Sequence, residues 1–218
     1  IGNSSGSNTV FLYPFDLGQG TIETTSSGLP NNPDNLLTNL LPGTEYGYYV
    51  QAVCGPGRTS DWFGPYFFKT KELGALCSCP IEISTLSYSD QSNTNVYGDN
   101  ITQTSPGTGC GDTGTYLAGQ DVVYAYTPMA DGQITISMNP FGVVDTGVFV
   151  YDSCTDIGVN CLTGVANNNG NVRTISTLNV TANTTYYIVI SSTAATFNFE
   201  YLLTVQEVSC DPPTSGTA

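Results

Sequence analysis

Gly119-Gln120-Asp121-Val122-Val123-Tyr124-Ala125-Tyr126-Thr127-Pro128, followed closely by Asp131-Gly132-Gln133-Ile134-Thr135-Ile136, decides the fold of most of this chain. Val122, Tyr124 and Tyr126 alternate with Val123, Ala125 and Thr127, and Ile134 and Ile136 with Thr135 and Ser137, which is the two-residue period of a strand. Working outward, Phe197, Phe199, Tyr201, Leu203 and Val205 mark one long amphipathic strand near the end. Pro, Gly and Asn turns separate such runs. No segment holds a 3.6-residue apolar period, so the chain is predicted to be all-β, built of antiparallel β-sandwiches with essentially no helix.

From about Pro80 to Val208 the chain resembles the bacterial pre-peptidase C-terminal domain. The residues that carry the likeness are Gly119–Pro128, Asp131–Ile136, Asp145-Thr146-Gly147-Val148-Phe149-Val150-Tyr151 and Thr184-Thr185-Tyr186-Tyr187-Ile188-Val189-Ile190. The resemblance implies a small antiparallel jelly-roll over 73–208. It also implies a noncatalytic module, since in that family the domain is usually an appendage of a secreted enzyme or surface protein; fold analogy alone does not settle function.

Residues 1–72 read differently. Leu40, Pro42, Thr44 and Tyr46 form the spacing L-x-P-x-T-x-Y, which resembles the tyrosine corner of fibronectin type III domains, where a Tyr hydroxyl bonds back to upstream backbone. Tyr46, Tyr48, Val50 and Ala52 share one strand face and Gly47, Tyr49 and Gln51 the other. Ser60–Thr70 is similar to the last strand of such domains, and Thr9–Tyr13 to the third. Nothing before Thr9 supplies the first two strands, so this is expected to be an incomplete sandwich with an open edge that invites pairing.

Composition narrows the chemistry. The chain has 218 residues, 18 acidic against 4 basic, for a net charge of -14. Such a surface repels phosphate backbones, so no nucleic-acid partner is expected. Histidine is absent, which removes Ser-His-Asp and Cys-His nucleophile systems and His-bearing zinc sites from within this chain. No run approaches the roughly 18 apolar residues of a membrane helix, and membrane insertion is not expected. The chain begins with Ile1 and shows no signal peptide, so it reads as a mature or excised segment of a secreted protein.

Seven cysteines in such a chain are first read as disulfides, with one left over. Cys154 and Cys161, seven positions apart, are expected to close one loop. Cys110 is expected to join Cys79, or alternatively Cys77. The fibronectin-like resemblance places Cys54 at the end of the sixth strand, at the pole where the first strand begins, and implies a partner entering that strand. Cys210, in Ser209-Cys210-Asp211-Pro212-Pro213, has that character, so 209–218 reads as the first strand of a following repeat or a segment donated to a neighbouring subunit. A tandem array, a donor-strand filament and a simple truncation with free thiols all fit.

The leading expectation is a noncatalytic structural or adhesive repeat of a bacterial extracellular surface protein or filament, partnered by neighbouring copies of itself. The alternative is a carbohydrate- or matrix-binding accessory module of a secreted hydrolase, with surface glycans stacking on Trp62, Tyr13, Tyr97 or Tyr116. For Trp62, packing against its own loop is the competing reading. Enzymatic use of Asp112, Asp121, Asp131, Asp145, Asp152 and Asp156 would need a paired constellation, and the spacing suits turn capping instead. No cofactor is expected. Calcium stays open at Asp112, Asp131, Asp152 and Asp156, without EF-hand spacing. Asn3, Asn100, Asn179 and Asn183 stand in N-x-S/T triplets.

Overall fold

The computed structural model describes residues 8–14, 22–26, 40–52, 56–58, 60–111 and 114–208. The chain divides into two compact units, Ile1–Glu72 and Leu73–Ala218. Both are all-β: the helical elements among the described residues are two three-residue 3-10 turns, Thr94–Val96 and Cys154–Asp156. No described helix is long and apolar enough to cross a membrane.

In the first unit β1 (Asn8–Pro14), β2 (Ile22–Ser26), β3 (Glu45–Ala52) and β4 (Phe63–Lys69) form one antiparallel sheet in the order β2-β1-β3-β4. Opposite residues set the aromatic face. Tyr46 pairs with Phe68 and Tyr48 with Tyr66 across β3 and β4, the ring centroids lying 5.7 and 5.4 Å apart. The register slips between Tyr48 and Val50. There Gly64, at φ +141, comes so close to Tyr48 that a Cβ would lie 2.7 Å from its carbonyl oxygen. Pro65 follows on an edge strand, where its missing N–H costs no ladder bond.

The second unit is a sandwich of two sheets. One runs β10-β9-β12-β7-β5 and the other β11-β8-β13-β6. Here β5 is Ile81–Ile83, β6 Tyr88–Asn93, β7 Val122–Tyr126, β8 Gly132–Asn139 and β9 Thr146–Tyr151. The remainder are β10 (Thr163–Asn167), β11 (Arg173–Val180), β12 (Tyr186–Ser192) and β13 (Glu200–Glu207). Between the sheets pack Val122, Tyr124, Ile136, Met138, Val148, Ile188, Ile190 and Leu203, among others. The expected all-antiparallel pattern fails at one edge, because β5 pairs with β7 in parallel. After β5 the chain crosses to the other sheet as β6, then returns through 94–121 to enter beside β5. A crossover of that length is what parallel neighbours require.

Burial explains the sequence pattern of the two sheets. β8 and β13 alternate buried and half-buried residues along most of their length, as strands with one solvated face do. β7 and β9 are buried at every position. Their outer face is covered by a layer of loops, in which Tyr116, Leu117, Ile157, Cys110 and Cys161 pack on Val123, Phe149, Tyr151 and Val189. At about 2 kcal/mol for each large apolar side chain fully buried, this second core is a substantial share of the unit's stabilisation. Polar ties hold the layer down: the Tyr151 hydroxyl donates to Pro106 O at 2.9 Å, and Cys161 N–H to Thr108 O at 2.7 Å.

Two disulfides seal that layer, and they correct the expected wiring. The bonds are Cys77–Cys154 and Cys110–Cys161, not Cys154–Cys161 and Cys79–Cys110. Depth decides the pairing. Cys110 and Cys161 are 3% and 7% exposed and belong to the loop-layer core, whereas Cys154 lies at the surface on a 3-10 turn capped by the Ser153 side chain. Cys154 and Cys161 therefore serve different depths despite their closeness in sequence. Cys79 is exposed and carries a free thiol.

Candidate interaction surface

Of Leu40, Pro42, Thr44 and Tyr46, the last three are tied by hydrogen bonds into one loop. Leu41 N–H donates to the Tyr46 hydroxyl at 2.8 Å, five residues away, and the Thr44 hydroxyl donates to Pro42 O at 2.9 Å. Thr70, just past β4, closes the corner: its hydroxyl donates to Leu41 O at 2.6 Å and accepts Thr44 N–H at 2.9 Å. Leu40, next to this loop, is half-buried. Gly43 makes the turn at φ +60.

From this corner the aromatic face opens along the strands. Tyr46 is 1% exposed, while Tyr66, on the same face, is 46% exposed. Phe63 and Phe67 on β4 and Trp62 just before it are exposed as well. A sheet stabilises by burying one face against another layer, and contiguous exposed apolar patches are candidate interaction surfaces. Of the other aromatics considered for sugar stacking, Tyr97 is half-buried with its hydroxyl 3.0 Å from Ser92 Oγ. Tyr116 is buried in the loop layer, and the side chain of Tyr13 lies outside the described residues.

The carboxylates are dispersed into structural duties. Asp131 Oδ1 accepts Ala182 N–H at 2.8 Å, and Asp156 Oδ1 accepts from the Asn160 amide at 3.1 Å. Asp145 occupies a turn at φ 56. Asp152 lines an open cleft with Thr163, Asn179 and Tyr186. Asp112 lies outside the described residues. Among the described residues no three acidic or cysteine side chains gather as a metal site would require.

Asp121 is different. It is fully buried; Oδ2 accepts Ile101 N–H at 3.1 Å, and Oδ1 has no partner among the described residues. Burial pushes its pKa up to about 7, against the opposing influence of Ser191 and the Ile101 N–H. Nearby in the main core, the Tyr124 hydroxyl donates to Asp90 Oδ2 at 2.6 Å and lies 2.6 Å from the Tyr201 hydroxyl. That relay satisfies two phenols between the sheets, and their burial raises both pKa values far above the ordinary one.

Two features of the second unit were not expected from the sequence. One is the loop layer, whose signal was the unbroken apolar run of β7, β9 and β12. The other is a second tyrosine corner: Thr181 N–H donates to the Tyr186 hydroxyl at 2.9 Å, again five residues away. Asn183, at φ 61, stands where Gly43 stands in the first. Its signal was Asn183-Thr184-Thr185-Tyr186, the same Thr and Tyr offsets as Gly43-Thr44-Glu45-Tyr46. Cys54 and Cys210 both lie outside the described residues.

The fold and its bonds define an all-β, disulfide-sealed module with an exposed aromatic strand. Among solved structures, the chain is similar to the pre-peptidase C-terminal domain of a collagenase from Bacillus anthracis, at 17% identity over 58% of this chain and 94% of that one, with a TM-score of 0.37. No protein-family model matches this chain, nor does any curated protein.

Proposed function

We propose that this chain is a noncatalytic structural or adhesive repeat of a bacterial extracellular surface protein or filament, joined to its neighbours through residues 209–218. The observation that carries the reading is the aromatic face of the first unit, buried at Tyr46 and open at Tyr66. The third, sixth and seventh strands of an immunoglobulin-like sandwich make one sheet, and β1, β3 and β4 stand next to each other in that way. The described residues of the first unit form this one sheet. Two disulfides in one unit suit an oxidising, extracellular setting. In this reading Cys210 opens the next copy and bonds its Cys54. Electron microscopy of the native assembly, with gels run with and without reductant, tests it. An axial repeat is expected, either as a ladder that collapses on reduction or as one very large band under both conditions; isolated globular particles would sink the proposal.

The second reading is a glycan- or matrix-binding accessory module, favoured by the exposed run of Trp62, Phe63, Tyr66 and Phe67. Apolar ring faces stack on sugars and are indifferent to the chain's negative charge. Glycan-array binding that is lost in Trp62→Ala would rank this reading first. An array with no binding at all would remove it.

A further inference from the structure

The loop between β10 and β11 closes around a buried cation. Arg173, the first residue of β11, is 1% exposed. Its Nε donates to Thr146 O at 2.9 Å and its Nη2 to Asn167 O at 2.8 Å; Nη2 also donates to Asn169 O and Nη1 to Asn171 O. Nη1 further reaches Asn169 Oδ1 at 3.3 Å. Every one of these acceptors is neutral. Asp145 acts on Arg173 only through space, and no ion pair to Arg173 exists among the described residues. A guanidinium stays charged when buried, so the site holds a cation whose hydrogen bonds are met and whose charge is not.

Two further features converge on this loop. A Cβ at Gly170 would lie 2.4 Å from Gly142 O, so the neighbouring turn of the β8–β9 connection keeps position 170 without a side chain. Asn169 Oδ1 meanwhile accepts Asn171 N–H at 3.0 Å. The packing thus calls for both residues of Asn169-Gly170, the one Asn-Gly pair in the sequence. Glycine leaves its own backbone nitrogen unhindered for attack on the preceding amide.

We propose that Asn169 is a site of spontaneous deamidation, and that Arg173 both promotes the reaction and retains its product. Hydroxide takes the proton of the Gly170 backbone nitrogen, which attacks Asn169 Cγ; the carbonyl electron pair moves onto Oδ1. There the Arg173 and Asn171 N–H groups stabilise the developing charge, as oxyanion donors do. Collapse breaks the Cγ–Nδ2 bond and releases the protonated nitrogen as ammonia, leaving a five-membered succinimide. Water opens that ring at either carbonyl to give an aspartyl or isoaspartyl residue. The new carboxylate lies against Arg173 and replaces neutral hydrogen bonds with charge-assisted ones. Asn167, Asn179 and Asn183 are followed by Asn, Val and Thr, whose side chains shield the attacking nitrogen.

The test is storage of the intact folded chain at mildly alkaline pH, with peptide mass mapping over time and thermal melting of Asn169→Asp. Acid is expected to accumulate at position 169 at least about tenfold faster than at any other asparagine, equivalent to ~1.4 kcal/mol in barrier. Asn169→Asp is expected to melt above the parent chain, and Arg173→Lys to slow the reaction. Should the lysine variant fail to fold, the first two measurements still decide. Asn169 staying intact while other asparagines react, or Asn169→Asp melting at or below the parent, would overturn the proposal.

Discussion

Asp121 shows how one side chain sets a condition on the whole second unit. Its ordinary carboxyl pKa of 3.8 rises to about 7 through burial. Between those values the folded chain binds a proton that the unfolded chain releases, so stability falls as pH rises through that window and levels off above it. The difference integrates to at most about 4 kcal/mol. Asp121→Asn keeps an oxygen for Ile101 N–H and removes the charge. We expect this variant to melt above the parent at about pH 8 and to show no gain at about pH 4, by calorimetry across the range. An equal gain at both ends would mean that packing, not ionisation, is responsible. In the sequence Asp121 was legible as the head of a strand motif, but its isolation from solvent was not. That isolation comes from the loop carrying Ile101, which is distant in sequence.

At the level of elements, period-two alternation was enough to find β7, β8 and β13, and the Leu40-to-Tyr46 spacing was enough to find a turn in which a phenol meets upstream backbone. Alternation identifies a strand but says little about what covers each face. Reading Val122 to Tyr126 as merely alternating hid the fact that both faces are apolar, and with it the loop layer. The cysteines failed for a related reason. Short sequence separation favours closure of Cys154 to Cys161, yet a 3-10 turn places one at the surface and lets the other sink into the second core. Digestion without reductant is expected to yield Cys77–Cys154 and Cys110–Cys161 linked peptides. In the chain-entropy account, loops of 77 and 51 residues each restrict the unfolded chain by up to about 4 kcal/mol. The double variant Cys77→Ser with Cys154→Ser is therefore expected to unfold at a clearly lower urea concentration. An unchanged midpoint would mean that the loop layer is held by packing alone.

For the whole molecule, the Cys77–Cys154 bond acquires a mechanical meaning. Tension entering the second unit ahead of β5 and leaving after β13 meets the bridge almost at once and passes from Cys77 directly to Cys154. The 77-residue span between them cannot be paid out while the bond stands. At about 3.5 Å per extended residue, that conceals roughly 270 Å of contour length. Single-molecule pulling of the intact chain should show this unit releasing a short extension under oxidising conditions and a longer one, by about that amount, after reduction. Equal extensions in both would show that the load takes another path. A link that limits its own lengthening when strained, and whose limit is set by the redox state of its surroundings, behaves as a tether with a built-in stop.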